Sequence, residues 1–392
     1  MAEIRTLHAH EMDESMELSA YAFQYELTDE LREMRKKALY PDEVMGCFVD
    51  GKLAAKLHIK PLQIYVHGQA FSMGGVASVA TWPEYRRHGL VGKLMQRALI
   101  EMRDRGMSVS LLHPFSYAFY RKYGWEMFVE RKQYEIRTDQ LPQRSDDDGK
   151  IVRYPEPIHH WQGLQKVYDP YAKQYNGMLV RDEKWWKMRL LQRTSGTAAV
   201  HFNAASQPDG YMLYEMKNRR MDIKEIVYLN EQARRALWTF ISNHDSMAEK
   251  VTLIAPANDS LAFALPDPRI EQKIIPFFMA RIVDVRSFLL QFPFAAPPEP
   301  VQLKFALRDP FAAWNQGMYE LAIDAGGQAS VTFTPTGETD FDCDIQTLTA
   351  MLLGYQTPEF FRQTGRWNLT SEQCRKWEQA VPAAVPYLLD FF

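Results

Sequence analysis

The stretch "VASVATWPEYRRHGLVGKLMQRALIEM" (residues 76–102) sets a short basic turn between a strand-like run and an amphipathic helix. A turn that opens directly into a helix leaves unpaired backbone N–H groups at the positive end of the helix dipole. Such a nest binds a pyrophosphate. Gly89 and Gly92 let the backbone come close to phosphate oxygens, and Arg86 and Arg87 add charge. Further along, "FSYAFYRKYGWEMF" places Tyr120 in an aromatic run that ends at a glycine turn. The last residues, "VPYLLDFF", are apolar around Asp390 and end at Phe392. An α-carboxylate carried into apolar surroundings is a candidate base.

These groups have to be positioned by regular elements. "GCFVD" and "KLAAKLHIKPLQIYV" are rich in strand formers and meet at Asp50-Gly51, a hairpin signal. Val91, Leu94, Met95, Ala98 and Met102 share one face of a helix expected from about Leu90 to Arg105, with Gly106 as its stop. "QLPQRSDDDGK" (140–150) is a polar linker. Beyond it, a hairpin ("GYMLYEMKNRRMDIKEIVYLN"), a helix ("EQARRALWTFISNHDS") and a strand ("EKVTLIAPAND") repeat the first region in outline without its glycine turn. That pattern reads as a second copy that has lost its site. A third unit opens near "ARIVDVRSFLLQ" (280–291), supplies three strands, and closes with two helices. The second of these starts with Thr370 and Gln373 in capping-box spacing.

The bulk numbers exclude some classes. At 392 residues the chain is too long for one ordinary core, so two or three domains are expected. A net charge of -3 argues against general nucleic-acid binding. Glu3, Glu11, Asp13, Glu14 and Glu17 leave no apolar run near the start, and no stretch is long and apolar enough for a membrane span. The expectation is a cytoplasmic protein with no membrane partner. Cys47, Cys343 and Cys374 are widely separated and have no metal-ligand spacing. His159-His160 lacks the partners of a metal site, and Trp185-Trp186 reads as packing.

"YRRHGLVGKLM" resembles the coenzyme A pyrophosphate loop of the GCN5-related N-acetyltransferases (GNAT), whose pattern is Q/R-x-x-G-x-G/A before a helix. Arg86 and Gly89 match it; Val91 departs from the Gly or Ala usual at the last position, and Gly92 follows it. By that resemblance the acetyl-CoA contacts are Val79, Ala80 and Thr81 of the preceding strand and Arg86, Arg87, His88, Gly89, Leu90, Val91 and Gly92 of the loop. Tyr120 matches the family tyrosine near the departing sulfur. The narrower likeness is to the enhanced-intracellular-survival (Eis) branch. It implies a mixed α+β, α/β fold: a GNAT domain (1–138), a degenerate GNAT-like domain (150–279) and a sterol-carrier-protein-like domain (280–392) whose end reaches the active site.

What the resemblance implies is direct attack of an amine on the acetyl-CoA thioester, with no metal. The Phe392 carboxylate would be the base, Tyr120 the acid, and backbone N–H groups near Val79 the oxyanion donors. Cationic small molecules such as aminoglycosides are the implied acceptors, with Phe23, Glu26 and Asp390 as candidate substrate contacts. Assembly as a homo-hexamer is also implied. Two other functions stay open: acetylation of protein or peptide lysines, and binding of an apolar ligand beside a vestigial acetyltransferase site.

Overall fold

Asp50 and Gly51 both sit at positive φ (50° and 77°), the geometry of a tight hairpin turn, which glycine accepts without strain and a short polar side chain tolerates. They fold one edge of a long mixed sheet. The computed structural model describes residues 2–38, 40–146, 148–191 and 196–392. Its first region holds β1 (Glu3–Thr6), α1 (Met12–Phe23), α2 (Asp29–Ala38), β2 (Val44–Val49), β3 (Lys52–Val66) and β4 (Gln69–Thr81). It continues through α3 (Leu90–Asp104), β5 (Val109–Leu112), α4 (Tyr117–Arg121) and β6 (Glu126–Arg137). The middle region runs β7 (Lys150–Tyr154), α5 (Trp161–Ala172), β8 (Tyr175–Asn176), β9 (Thr197–Phe202), β10 (Pro208–Lys217) and β11 (Arg220–Tyr228). It closes with α6 (Glu231–Ser242), β12 (Lys250–Pro256) and β13 (Glu271–Ile282).

β13, late in the middle region, pairs antiparallel with both β5 and β6 and lies between them. The two regions therefore share one twelve-stranded sheet, ordered β1-β2-β3-β4-β5-β13-β6-β12-β11-β10-β9-β7. Within it, β3-β4-α3-β5 and β10-β11-α6-β12 have the same plan: an antiparallel pair, a helix, and a strand parallel to the one before. The predicted hairpin, helix and strand of the second copy are β10–β11, α6 and β12. In α3 the buried stripe is Leu90, Leu94, Met95, Ala98, Leu99 and Met102, with Val91 only half-buried. Each large aliphatic side chain buried this way contributes about 1.5–3 kcal/mol.

The last region holds α7 (Val285–Gln291), β14 (Val301–Arg308), β15 (Gly317–Ile323), β16 (Ala329–Thr334), β17 (Phe341–Asp344), α8 (Ile345–Leu352), α9 (Pro358–Gln363), α10 (Ser371–Ala380) and β18 (Val385–Pro386). Its four-stranded sheet, β16-β15-β14-β17, packs against α7, α8 and α10. Thr370 and Gln373 form the expected capping box on α10. Phe305 and Trp377 of this region share a core with Phe278 of β13 and Phe71 of β4, so the third region is packed onto the first. After α10 the chain returns to the middle region, where β18 pairs with β8 in a separate two-stranded sheet and Tyr387 N–H donates to Asn176 C=O at 2.9 Å. Among the described residues, no helix is long and apolar enough to cross a membrane.

Candidate active site

β4 does two things that open a site. It pairs with β5 only from Met73–Val109 to Val76–Leu112, then continues alone on that side to Thr81. It also carries a bulge: its register on β3 shifts between Lys56↔Ala80 and His58↔Ala77, and Ser78 takes φ +50°. Bulges re-aim the backbone beside active sites. Here Ser78 and Val79 become part of the wall of a cavity of about 530 Å³.

That cavity gathers residues from four directions. Ser15, Met16, Ser19 and Phe23 come from α1, and Tyr25 and Arg35 from the loop and helix after it. Lys56, His58 and Lys60 come from alternate positions of β3. His113, Pro114, Phe115 and Tyr120 follow β5, and Phe391 and Phe392 arrive from the end of the chain. Tyr120 is buried, and that burial pushes its phenol pKa well up, with Tyr123 acting the same way, so the hydroxyl keeps its proton. Its ring packs edge-on against Phe115 and Phe119.

The pyrophosphate-type turn lies outside this cavity but next to it in the chain. Gly89 caps α3 in the left-handed conformation (φ +73°) with no side-chain cap, and a Cβ there would meet open space. Arg87 also has positive φ, at 65°. Arg86, Arg87 and His88 are exposed, Arg86 Nε donating to the Thr81 carbonyl at 3.3 Å. The second copy differs at the matching helix. There Asn230 caps α6 with its own side chain, accepting from Ala233 N–H at 2.8 Å, so the helix end is already satisfied.

Phe392 is held by several neighbours. Its ring packs on Phe278 (centroids 4.9 Å apart) and Trp185 (6.5 Å). A Cβ on Gly75 of β4 would lie 2.8 Å from that ring, so only glycine leaves it room. Upstream, the half-buried Arg131 guanidinium donates to the carbonyls of Leu388 (2.8 Å) and Leu389 (2.8 Å) while lying over the Phe277 ring.

Two candidate substrate contacts, Asp390 and Glu26, lie outside the cavity wall. Asp390 does not line the cavity. It is buried in the middle region, where Arg181 Nε donates to both its oxygens (3.0 and 3.1 Å) and Trp185 Nε1 donates to one (2.7 Å). Arg181 in turn binds Glu225 through two bonds of 2.9 and 2.7 Å. A carboxylate satisfied in this way has no free acceptor for a substrate, and Asp390 anchors the tail instead. Glu26 is exposed and not part of the cavity wall, whereas its neighbours Phe23 and Tyr25 are. Trp185, read as packing, is one of the groups holding Asp390.

Sequence reasoning passed over the basic wall. Lys56 is fully buried, with Nζ 2.5 Å from Ser19 Oγ and 2.9 Å from His58 Nε2. Desolvation pushes its pKa down to about 7, with Arg35 and Lys60 pressing the same way. Burial likewise pushes His58 well down. The signal was present: Lys56, His58 and Lys60 at period two inside an otherwise apolar strand point to one shared face.

The comparisons agree with this architecture. Residues 3–128 match an acetyltransferase (GNAT) domain, 177–282 a second one, and 285–389 a sterol carrier protein domain. The N-acetyltransferase Eis of Mycobacterium tuberculosis is 26% identical over 223 residues, covering 53% of this chain and 54% of that protein. The chain belongs to the Eis-like branch of the GCN5-related N-acetyltransferases. An N-acetyltransferase of Streptomyces griseus is 25% identical to this Eis-like chain over 350 residues, 82% of each. The crystal structure of a probable N-acyltransferase from Enterococcus faecalis superposes over 100% of both chains with a TM-score of 0.93 at 29% identity. The Eis-like GNAT domain thus carries the bulged strand and the open α3 terminus, and the GNAT-like copy carries the capped one.

Proposed function

We propose that this acetyltransferase moves the acetyl group of acetyl-CoA to the amine of a small molecule, with the Phe392 carboxylate as base and Tyr120 as acid. The observation that carries the reading is the meeting of Ser78, Val79, Tyr120 and Phe392 on one cavity. The open, left-handed N-terminus of α3 suits a pyrophosphate, because its backbone donors are not taken by a side-chain cap. Arg86, Arg87, His88, Gly89, Leu90, Val91 and Gly92 would hold that group, and Val79, Ala80 and Thr81 the arm leading to the thioester. Acetyl-CoA supplies the acyl group as a thioester. The amine nitrogen forms its bond to the acyl carbon as the C–S bond breaks. The carboxylate takes the amine's proton, and the Tyr120 hydroxyl donates to the sulfur. The backbone at the Ser78–Val79 bulge is the proposed source of oxyanion donors.

Aminoglycosides, the acceptors implied by the family likeness, find less support. Arg35, Lys56, Lys60 and Arg189 line the cavity, and among the described residues no acidic side chain does. A homo-hexameric assembly and a cytoplasmic location rest on the likeness and on sequence expectation.

The test is acetyl-CoA-dependent thiol release by the native chain beside one extended by Gly-Ser-Gly after Phe392. Loss of turnover in a folded extended chain is expected, since the carboxylate is moved out of the wall. Equal turnover would return the tail to a packing role. In the companion experiment, Arg86→Ala with Arg87→Ala should raise KM for acetyl-CoA by about ten- to a hundredfold, the worth of lost charge-assisted bonds, with thermal stability unchanged. An unmoved KM would remove the turn from the cofactor site.

A further inference from the structure

The cavity wall formed by β3, α2 and the segment around Arg189 has a composition that the acetyltransferase chemistry does not require. Lys56, His58 and Lys60 lie on one face of β3, and Arg35 and Arg189 complete the wall. Lys56 Nζ bonds two neutral partners, Ser19 Oγ and His58 Nε2. The charges that act on it, Arg35 and Lys60, are both positive. Glu43, whose oxygen is 3.9 Å from Lys60 Nζ, is not part of the wall. A buried ammonium is stable only when something negative or strongly polar accompanies it. None of the residues from Arg86 to Gly92 lines this cavity, so the wall is separate from the turn assigned to the pyrophosphate.

We infer that the acceptor is a small amine that also carries an anionic group, a carboxylate or a phosphate, which seats between Lys56 and Arg35 while its amine faces Phe392 and Tyr120. This deepens the acetyltransferase reading and rests on it for the amine's role. The exposed rings of Phe23, Phe115 and Phe391 at the same cavity suit an apolar or ring-shaped body between the two ends of such a molecule. A polycation would bring like charges against Lys56 and Arg35, which disfavours it. Lys56, with its pKa near 7, gains its proton most readily when an anion arrives to share it.

The experiment compares matched acceptors by kcat/KM: 4-(aminomethyl)benzoate against benzylamine, glucosamine 6-phosphate against glucosamine, and kanamycin as a polycation. The anionic member of at least one pair should be favoured by about ten- to a hundredfold, as expected for charge-assisted contacts. The two pairs separate a carboxylate from a phosphate. In Lys56→Gln, and independently in Arg35→Gln on the half-exposed α2, the kcat/KM ratio within the favoured pair should fall toward parity. Equal rates within both pairs, or kanamycin as the best acceptor, would overturn the inference and leave the acetyltransferase standing. Calorimetric binding of benzoate and of inorganic phosphate to the full chain is the second arm. Should no amine release thiol, binding of either anion that is lost in both variants would keep the anion site and remove the acetyltransferase reading. Absence of binding together with absence of preference would remove the anion site.

Discussion

Asp390→Ala should lower the unfolding free energy by about 3–5 kcal/mol, the usual cost of removing one partner from a buried ion pair. It should also abolish most thiol release. The reason lies in the charge balance around the tail. Arg181 is fully buried between Asp390 and Glu225, and Arg131 lies close enough to feel both acids. Two cations and two carboxylates therefore balance one another. Truncating Asp390 leaves an excess positive charge where water cannot reach, and orphans the Trp185 Nε1 donor. Because Asp390 is two residues from Phe392, the same change unpins the segment whose end is the proposed base. Asp390→Asn keeps the acceptor oxygen for Trp185 and should fall between wild type and alanine. Urea midpoints and thiol-release rates measured on the three proteins check this, and full stability with full turnover in Asp390→Ala would mean that the network does not anchor the tail.

That network shows why part of the site escaped the sequence. Asp390 adjoins Phe392 in sequence, which suggests a substrate contact, yet its partner Arg181 lies 209 residues away in another region. No local pattern announces such a pairing. The same holds for β13, which leaves the middle region to lie between β5 and β6. Its neighbours are chosen by the sheet, and its own sequence says only that it is a strand. By contrast, the α3 stripe, the Asp50–Gly51 hairpin and the Thr370–Gln373 box depend on residues within a few positions of one another, and each was legible. The basic turn was legible for the same reason, since Gly89 and the helix it caps are contiguous. Lys56, His58 and Lys60 stand between these cases. Their spacing was visible, but their chemical meaning needed Ser19, Arg35 and the closing wall from the end of the chain.

Tyr120→Phe should reduce kcat by about a hundredfold or more, the range attributed to a positioned general acid, with KM for acetyl-CoA little changed. The substitution removes one oxygen and keeps the ring, which packs against Phe115, Phe119 and the α3 core. Stability should therefore hold, and a loss of turnover can be assigned to the hydroxyl. Burial holds the phenol's pKa far above neutrality, so the proton is present throughout the working range. Its value as a donor lies in geometry and in the low dielectric around it, where a hydrogen bond to a developing thiolate is stronger than in water. A leaving group that needs no such help discriminates between this role and simple packing. With an acetyl thioester of a strongly acidic thiol, Tyr120→Phe should recover most of the wild-type rate. An equal deficit for both thioesters would place Tyr120 in substrate positioning, and full activity with acetyl-CoA would assign the proton to another group.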